Sequence, residues 1–162
     1  MQEIGEIYAH SFLHLRNFMT NTYLNPTQDS GARLFKKNII GEVVMLNLIR
    51  LRDIADYSQA PDLAPEKPIT GREAFQKYVD FTLPFLKKSG GDLLFLGSAD
   101  YFFIGPFDEK WDVVMLVKQK SVADFFSFAT NKEYGVGLNH RTAAVMDSRL
   151  LPIVENRNGF IL

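Results

Sequence analysis

Two segments of this chain, EVVMLNLIRL at 42–51 and WDVVMLVK at 111–118, are apolar on both sides of an extended backbone, and this constrains the fold more tightly than anything else in it. Successive side chains in a strand point to opposite faces. Val43, Met45 and Ile49 therefore point one way and Val44, Leu46 and Leu48 the other, while Val113, Met115 and Val117 oppose Val114 and Leu116. A third run, DLLFLG at 92–97, sets Leu93 and Phe95 against Leu94 and Leu96. A sheet of such strands needs a layer on each face, because monomers leave no more than roughly a few hundred Å² of contiguous apolar surface in water.

The segments between the strands predict helices. Thr70 and Glu73 have the spacing of a capping box, ahead of a helix that buries Ala74, Phe75, Tyr78, Val79 and Leu86. Pro84 is expected to kink its last turn, and Ser89-Gly90-Gly91 to stop it. YFFIG at 101–105 is expected to continue a hairpin towards the strand at 111. Ser121 and Asp124 open a second helix with Val122, Phe125, Phe126 and Ala129 on one face; it is interrupted near Asn131 and resumes from about 133 to 145. SRLLPIVE at 148–155 closes as a strand. The order is β-α-β-β-α-β, an α+β, ferredoxin-like arrangement with a four-stranded antiparallel sheet and two helices on one face.

Two helices cover only one face of a sheet this size. The other needs a second copy of the sheet, giving a two-fold dimer that encloses a barrel-like space, or the N-terminal segment. There, Ile4, Ile7, Tyr8, Phe12, Leu15 and Met19 form one stripe of an amphipathic helix over 3–20. Residues 21–41, with Pro26, Gly31 and Gly41 and no clear period, read as a connecting arm. The expected organisation is an N-terminal helix and arm over 1–41 and one domain over 42–162. The second copy is the simpler cover, so a homodimer is expected.

Composition narrows the function classes. The net charge is −1 and no basic stripe is visible, which argues against nucleic acid, whose phosphates need neutralising. The absence of cysteine excludes disulfides, thiolate metal sites and thiol nucleophiles. No run approaches the roughly 20 apolar residues of a membrane span, so a soluble, cytoplasmic protein with no membrane partner is expected. The chain has no phosphate loop, no GxGxxG, no GxSxG elbow and no HExxH pair, and no bound cofactor is expected.

NKEYGVGLNHRTAAVMDSRLLP at 131–152 and WDVVMLVKQKSVADFFSF at 111–128, set in this strand and helix order, resemble the dimeric α/β barrel superfamily and, within it, the domain-of-unknown-function family 1330. The resemblance covers about residues 42–155. It implies a ferredoxin-like protomer that dimerises face to face, with a ligand cavity between sheet and helices or inside the barrel. Superfamily relatives include cofactor-independent monooxygenases, muconolactone-type isomerases and haem-using enzymes, so the fold alone selects no chemistry. Residues 1–41 lie outside it, and the long loop at 52–69, RDIADYSQAPDLAPEKPI, is either a lid or a spacer.

The densest set of reactive side chains lies at 133–152. His140 is the candidate general base, with Asp147 or Glu133 to orient it; the alternative is that His140 and Arg141 cap a helix C-terminus. Asp147 and Arg149, two apart at the start of the last strand, share a side and either grip a carboxylate or pair with each other. Asn47 and Arg50 interrupt an apolar strand and are candidate ligand contacts, Arg50 alternatively marking the strand end. Phe95, Tyr101, Phe103 and Trp111 are candidate walls of an apolar pocket, or core. Glu6, His10 and His14 climb one helix flank, a weak metal pattern that reads as a solvated face, and no metal site is assigned. Two functions follow. One is a homodimeric barrel that binds a small apolar or aromatic molecule with His140, Asp147 and Arg149 at its polar rim, acting as a cofactor-independent oxygenase or isomerase if it is an enzyme. The other is a non-catalytic barrel for assembly or ligand sequestration.

Overall fold

Local capping chemistry sets where the helices start. The structure, a computed structural model, describes residues 21–156. Thr70 accepts from the Glu73 amide at 3.2 Å while Glu73 accepts from the Thr70 amide at 2.7 Å, so both halves of the capping box are made, and helix α2 follows over Gly71–Lys88. Ser121 caps α3, Val122–Ala129, through the Asp124 amide, and Asn131 caps α4, Lys132–Ala144, through the amides of Glu133 and Tyr134. α2 runs through Pro84 to Lys88; Pro84 and Asp80, whose carbonyl loses its i+4 donor, are both exposed, where water can take the donor's place.

The strands are β1 (Val43–Leu51), β2 (Asp92–Ser98), β3 (Val113–Gln119) and β4 (Val145–Ile153). They pair antiparallel in the order β2-β3-β1-β4, which is the ferredoxin-like arrangement expected from the element order. Three expectations shift. The arm holds a helix, α1 (Gln28–Lys36), capped by Thr27; the sequence hides it because only Leu34 packs inward and Gly31 weakens the pattern. Residues 101–105 add no strand, only an isolated bridge from Tyr101 to Lys110, because Pro106 lacks an amide for a ladder and a turn closes from Glu109 to the Pro106 carbonyl. The last strand starts at Val145, directly after α4, so Asp147 lies inside it. The expected helix over 3–20, with Glu6, His10 and His14, falls outside the described residues.

The helix layer covers one face of the sheet. Ile49, Leu51, Val113, Met115 and Val145 pack with Ala74, Phe75 and Val79 of α2 and Ala143 and Ala144 of α4, and a smaller cluster joins Val43 and Met45 to Val122 and α1's Leu34. On the opposite face the register lines up cross-strand rows. Phe95, Leu116, Leu46 and Leu151 form one; Gly97, Val114, Leu48 and Arg149 form the next; Asp92, Lys118, Val44 and Ile153 form the third. Phe95 is 52% and Leu151 55% exposed, whereas Val43, Met45 and Ile49 on the helix side are at most 2% exposed. No helix among the described residues is long and apolar enough to cross a membrane.

Helix layer and sheet meet closely at the start of α2, where a Cβ on Gly71 would run into the carbonyl oxygens of Arg52 and Ala144. Backbone atoms cannot swing aside as a side-chain tip can, so Gly71→Ala is expected to lower stability by roughly 1–3 kcal/mol in denaturant unfolding. Gly135 in α4 has open space at that position. Gly135→Ala is expected to raise stability by about 0.5–1 kcal/mol in the same assay.

Candidate functional site

Where β1 ends and β4 begins, the open face of the sheet runs into a cleft of about 260 Å³ lined by Tyr23, Arg50, Trp111, Asp147 and Arg149, with the 106–110 loop at its side. Sheet register makes this junction, setting Leu48 opposite Arg149 and Arg50 opposite Asp147. Asp147 is buried and committed. Its Oδ1 accepts from the Tyr23 amide at 2.6 Å, the Ser148 amide at 2.9 Å and Arg149 Nη1 at 2.6 Å. A buried carboxylate needs such donors, because an unpaired one would shed its charge.

Arg149 is held as well. Its guanidinium lies between two aromatic faces, 4.7 Å from the Tyr23 ring centre and 5.1 Å from that of Trp111. Trp111, the single tryptophan, is buried and its Nε1 donates to Glu109 Oε1 at 2.9 Å. The segment carrying Tyr23 is fastened in turn: Ser148 Oγ donates to the Tyr23 carbonyl at 2.6 Å and Arg141 Nη1 to the Leu24 carbonyl at 2.9 Å, with Arg141 Nη2 donating to Ser148 Oγ at 3.1 Å. Arg141 thus acts on the arm rather than in the cleft.

His140 does not line the cleft. Consecutive helix positions are about 100° apart, so while Arg141 turns to β4, His140 turns to the 52–69 loop, where its Nδ1 is 2.8 Å from the Tyr57 hydroxyl and the two rings meet edge to face at 5.7 Å. When the imidazole carries its proton on Nε2, the phenol donates. Burial, and then the Lys77 ammonium, lower the His140 pKa from its ordinary value, and burial raises that of Tyr57. The loop is pinned elsewhere by Ala55 N to Ile69 O and Asp56 N to Ala143 O, each 2.9 Å.

Of the other candidates, Asn47 faces the helix side and donates to the Met45 carbonyl at 3.0 Å. Phe95 lies in the exposed central row, the Tyr101 ring centre is 6.0 Å from Lys110 Nζ, and Phe103 is fully exposed, so Trp111 is the aromatic of that set that lines the cleft. The sequence offered no signal for Tyr23 or Tyr57, because each acts through a partner more than 80 residues away, 124 for Tyr23–Asp147 and 83 for Tyr57–His140. A second hollow of about 200 Å³ lies between α2 and β2, lined by Arg72, Phe75, Gln76 and Leu96 among others. Among the described residues no group of three or more His, Asp or Glu side chains is placed to hold a metal ion.

A histidine whose folded pKa is depressed stabilises the fold above its ordinary value of 6.5, and that contribution is lost as the pH falls through 6.5 and below. The melting temperature is therefore expected to fall between about pH 7.5 and about pH 5 more in the native chain than in His140→Gln, which cannot take up the proton. Thermal scans at the two pH values check this, and parallel pH profiles would show that the Tyr57–His140 pair has no part in it.

No protein-family model matches the chain, so the likeness to family 1330 gains nothing from that comparison, and no curated protein matches either. Among solved structures the chain is similar to the methylated RPA0582 protein, with 32% identity and a TM-score of 0.76 over 86% of this chain and 98% of that one. A second structure of RPA0582, from Rhodopseudomonas palustris and described as of unknown function, has 33% identity and a TM-score of 0.72 over 82% and 96% of the two chains. A dimeric protein of unknown function and ferredoxin-like fold from Bacteroides fragilis is more distant, with 14% identity and a TM-score of 0.45 over 70% and 96%. With 32% identity along 98% of RPA0582, the chain belongs to the RPA0582 family, and the strand order β2-β3-β1-β4 gives it a ferredoxin-like fold.

Proposed function

We propose that the protein assembles as a homodimer through the open face of its sheet and binds a small, largely apolar molecule between the two sheets, next to the cleft at Trp111 and Arg149. One observation carries this reading: the row Phe95, Leu116, Leu46 and Leu151 crosses all four strands with no layer over it among the described residues. Water contact along such a row costs roughly 25 cal/mol for each Å² of apolar surface left uncovered. A second copy offers the same row and closes a two-fold interface with itself. The cleft at the end of the face supplies the few polar groups that orient a ligand in an otherwise apolar site.

Binding is the part of the earlier alternatives that the geometry supports best. Oxygenation or isomerisation needs, in addition, a group that moves a proton at the bound molecule. His140 is hydrogen-bonded to Tyr57 and is not among the residues lining the cleft, and the Asp147 Oδ1 atom is already shared by three donors. We therefore assign this cleft a binding role.

Light scattering at micromolar concentration is expected to return twice the chain mass, and Leu151→Glu to weaken the dimer at least about tenfold, since a charge inside an apolar interface costs several kcal/mol. A native chain that stays monomeric overturns the assembly. Naphthalene, as an uncharged apolar probe, is expected to change the fluorescence of the single Trp111 in a saturable way.

A further inference from the structure

We infer that the cleft is a carboxylate receptor and that Arg50 is the side chain that binds the anion, so that the molecule taken up is a small apolar or aromatic acid. This rests on the reading that the open face binds a small apolar molecule, and adds the chemistry of its polar end.

The argument is an accounting of charge. The cleft is lined by three cationic side chains, Arg50, Lys110 and Arg149, and three carboxylates, Asp108, Glu109 and Asp147. Arg149 is bound to Asp147 and also donates from Nη1 to the Ser148 carbonyl at 2.8 Å. Glu109 accepts from the Trp111 indole, and Lys110 Nζ stands 3.7 Å from Asp100 and 4.0 Å from Asp112. Arg50 and Asp108 have no hydrogen-bond or ion-pair partner among the described residues. They are not equivalent. Asp108 is exposed on the loop, where water solvates it, whereas Arg50 is half-buried and lines the cleft.

The sheet register sharpens the point. Arg50 stands directly opposite Asp147 in the β1–β4 ladder, where the pair would be expected to meet. Instead Asp147 Oδ1 is taken by the Tyr23 amide, the Ser148 amide and Arg149. The arm residue and the stacked arginine thus engage one oxygen of the carboxylate that would neutralise Arg50, and Arg149 already balances its charge. What remains is a planar guanidinium with its five donors available, matched to the two oxygens of a carboxylate. In the adjoining row Leu48 and Val114, next to Arg149, offer apolar surface that suits the body of such an acid.

Trp111 fluorescence, with light scattering to confirm the assembly, can compare benzoate with benzamide, which has the same ring and no charge. Benzoate is expected to bind at least about tenfold more tightly, the ratio that one charge-assisted hydrogen-bonded pair supplies, and the preference is expected to vanish in Arg50→Met and to fall as salt is raised. Where Arg50→Met lowers the melting temperature, Arg50→Gln takes its place. Equal binding of the two probes, or a preference for benzoate that survives the substitution, overturns the carboxylate assignment and leaves the small-molecule reading standing. No response to benzoate, benzamide or naphthalene overturns both.

Discussion

The structure depends on β1, a central strand that is apolar on both sides. Held between β3 and β4, it turns Val43, Met45, Ile49 and Leu51 into the helix layer and Val44, Leu46 and Leu48 the opposite way. A strand of this kind cannot sit at the edge of a sheet or over open water without cost. The helix side is filled closely, down to backbone contact at Gly71. Among the described residues the opposite side is only half covered, which is why assembly and a ligand are proposed there.

A second organising element is the Asp147 carboxylate. One oxygen gathers the arm at Tyr23, the strand amide of Ser148 and the guanidinium of Arg149, and the arginine in turn stacks between Tyr23 and Trp111. Residues from the arm, the β2–β3 loop and the last strand are thereby drawn to one end of the open face. This is also why Arg50 is left over among the described residues, since its cross-strand neighbour is already paired with Arg149. Packing and electrostatics are linked here by a single burial: a carboxylate at 5% exposure must collect donors.

Much of the fold was legible in the chain itself. Alternation identified β1 and β3, and the Thr70–Glu73 box and the Ser121 cap set two helix starts. The misses have physical causes. α1 buries no residue fully, so its apolar pattern is thin, and aromatic content alone suggested a strand at 101–105 although Gly105 and Pro106 prevent one. For the site, Asp147, Arg149, Arg50 and Trp111 were candidates that the fold brings to one cleft. His140 is a candidate from its imidazole chemistry, but one step along the helix turns it to Tyr57 instead of the cleft.

By itself the sequence determined most of the strands and helices and the need for a cover on both faces of the sheet, because these are properties of neighbours two, three and four positions apart. Only the tertiary structure decided which charged groups neutralise one another. Tyr23 reaches Asp147 across 124 residues and Tyr57 reaches His140 across 83. No local pattern encodes such meetings, since they arise from the register of β1 against β4 and the path of the arm across the sheet's end. That same register left Arg50 without a partner among the described residues, and the charge proposed for a ligand rests on that feature.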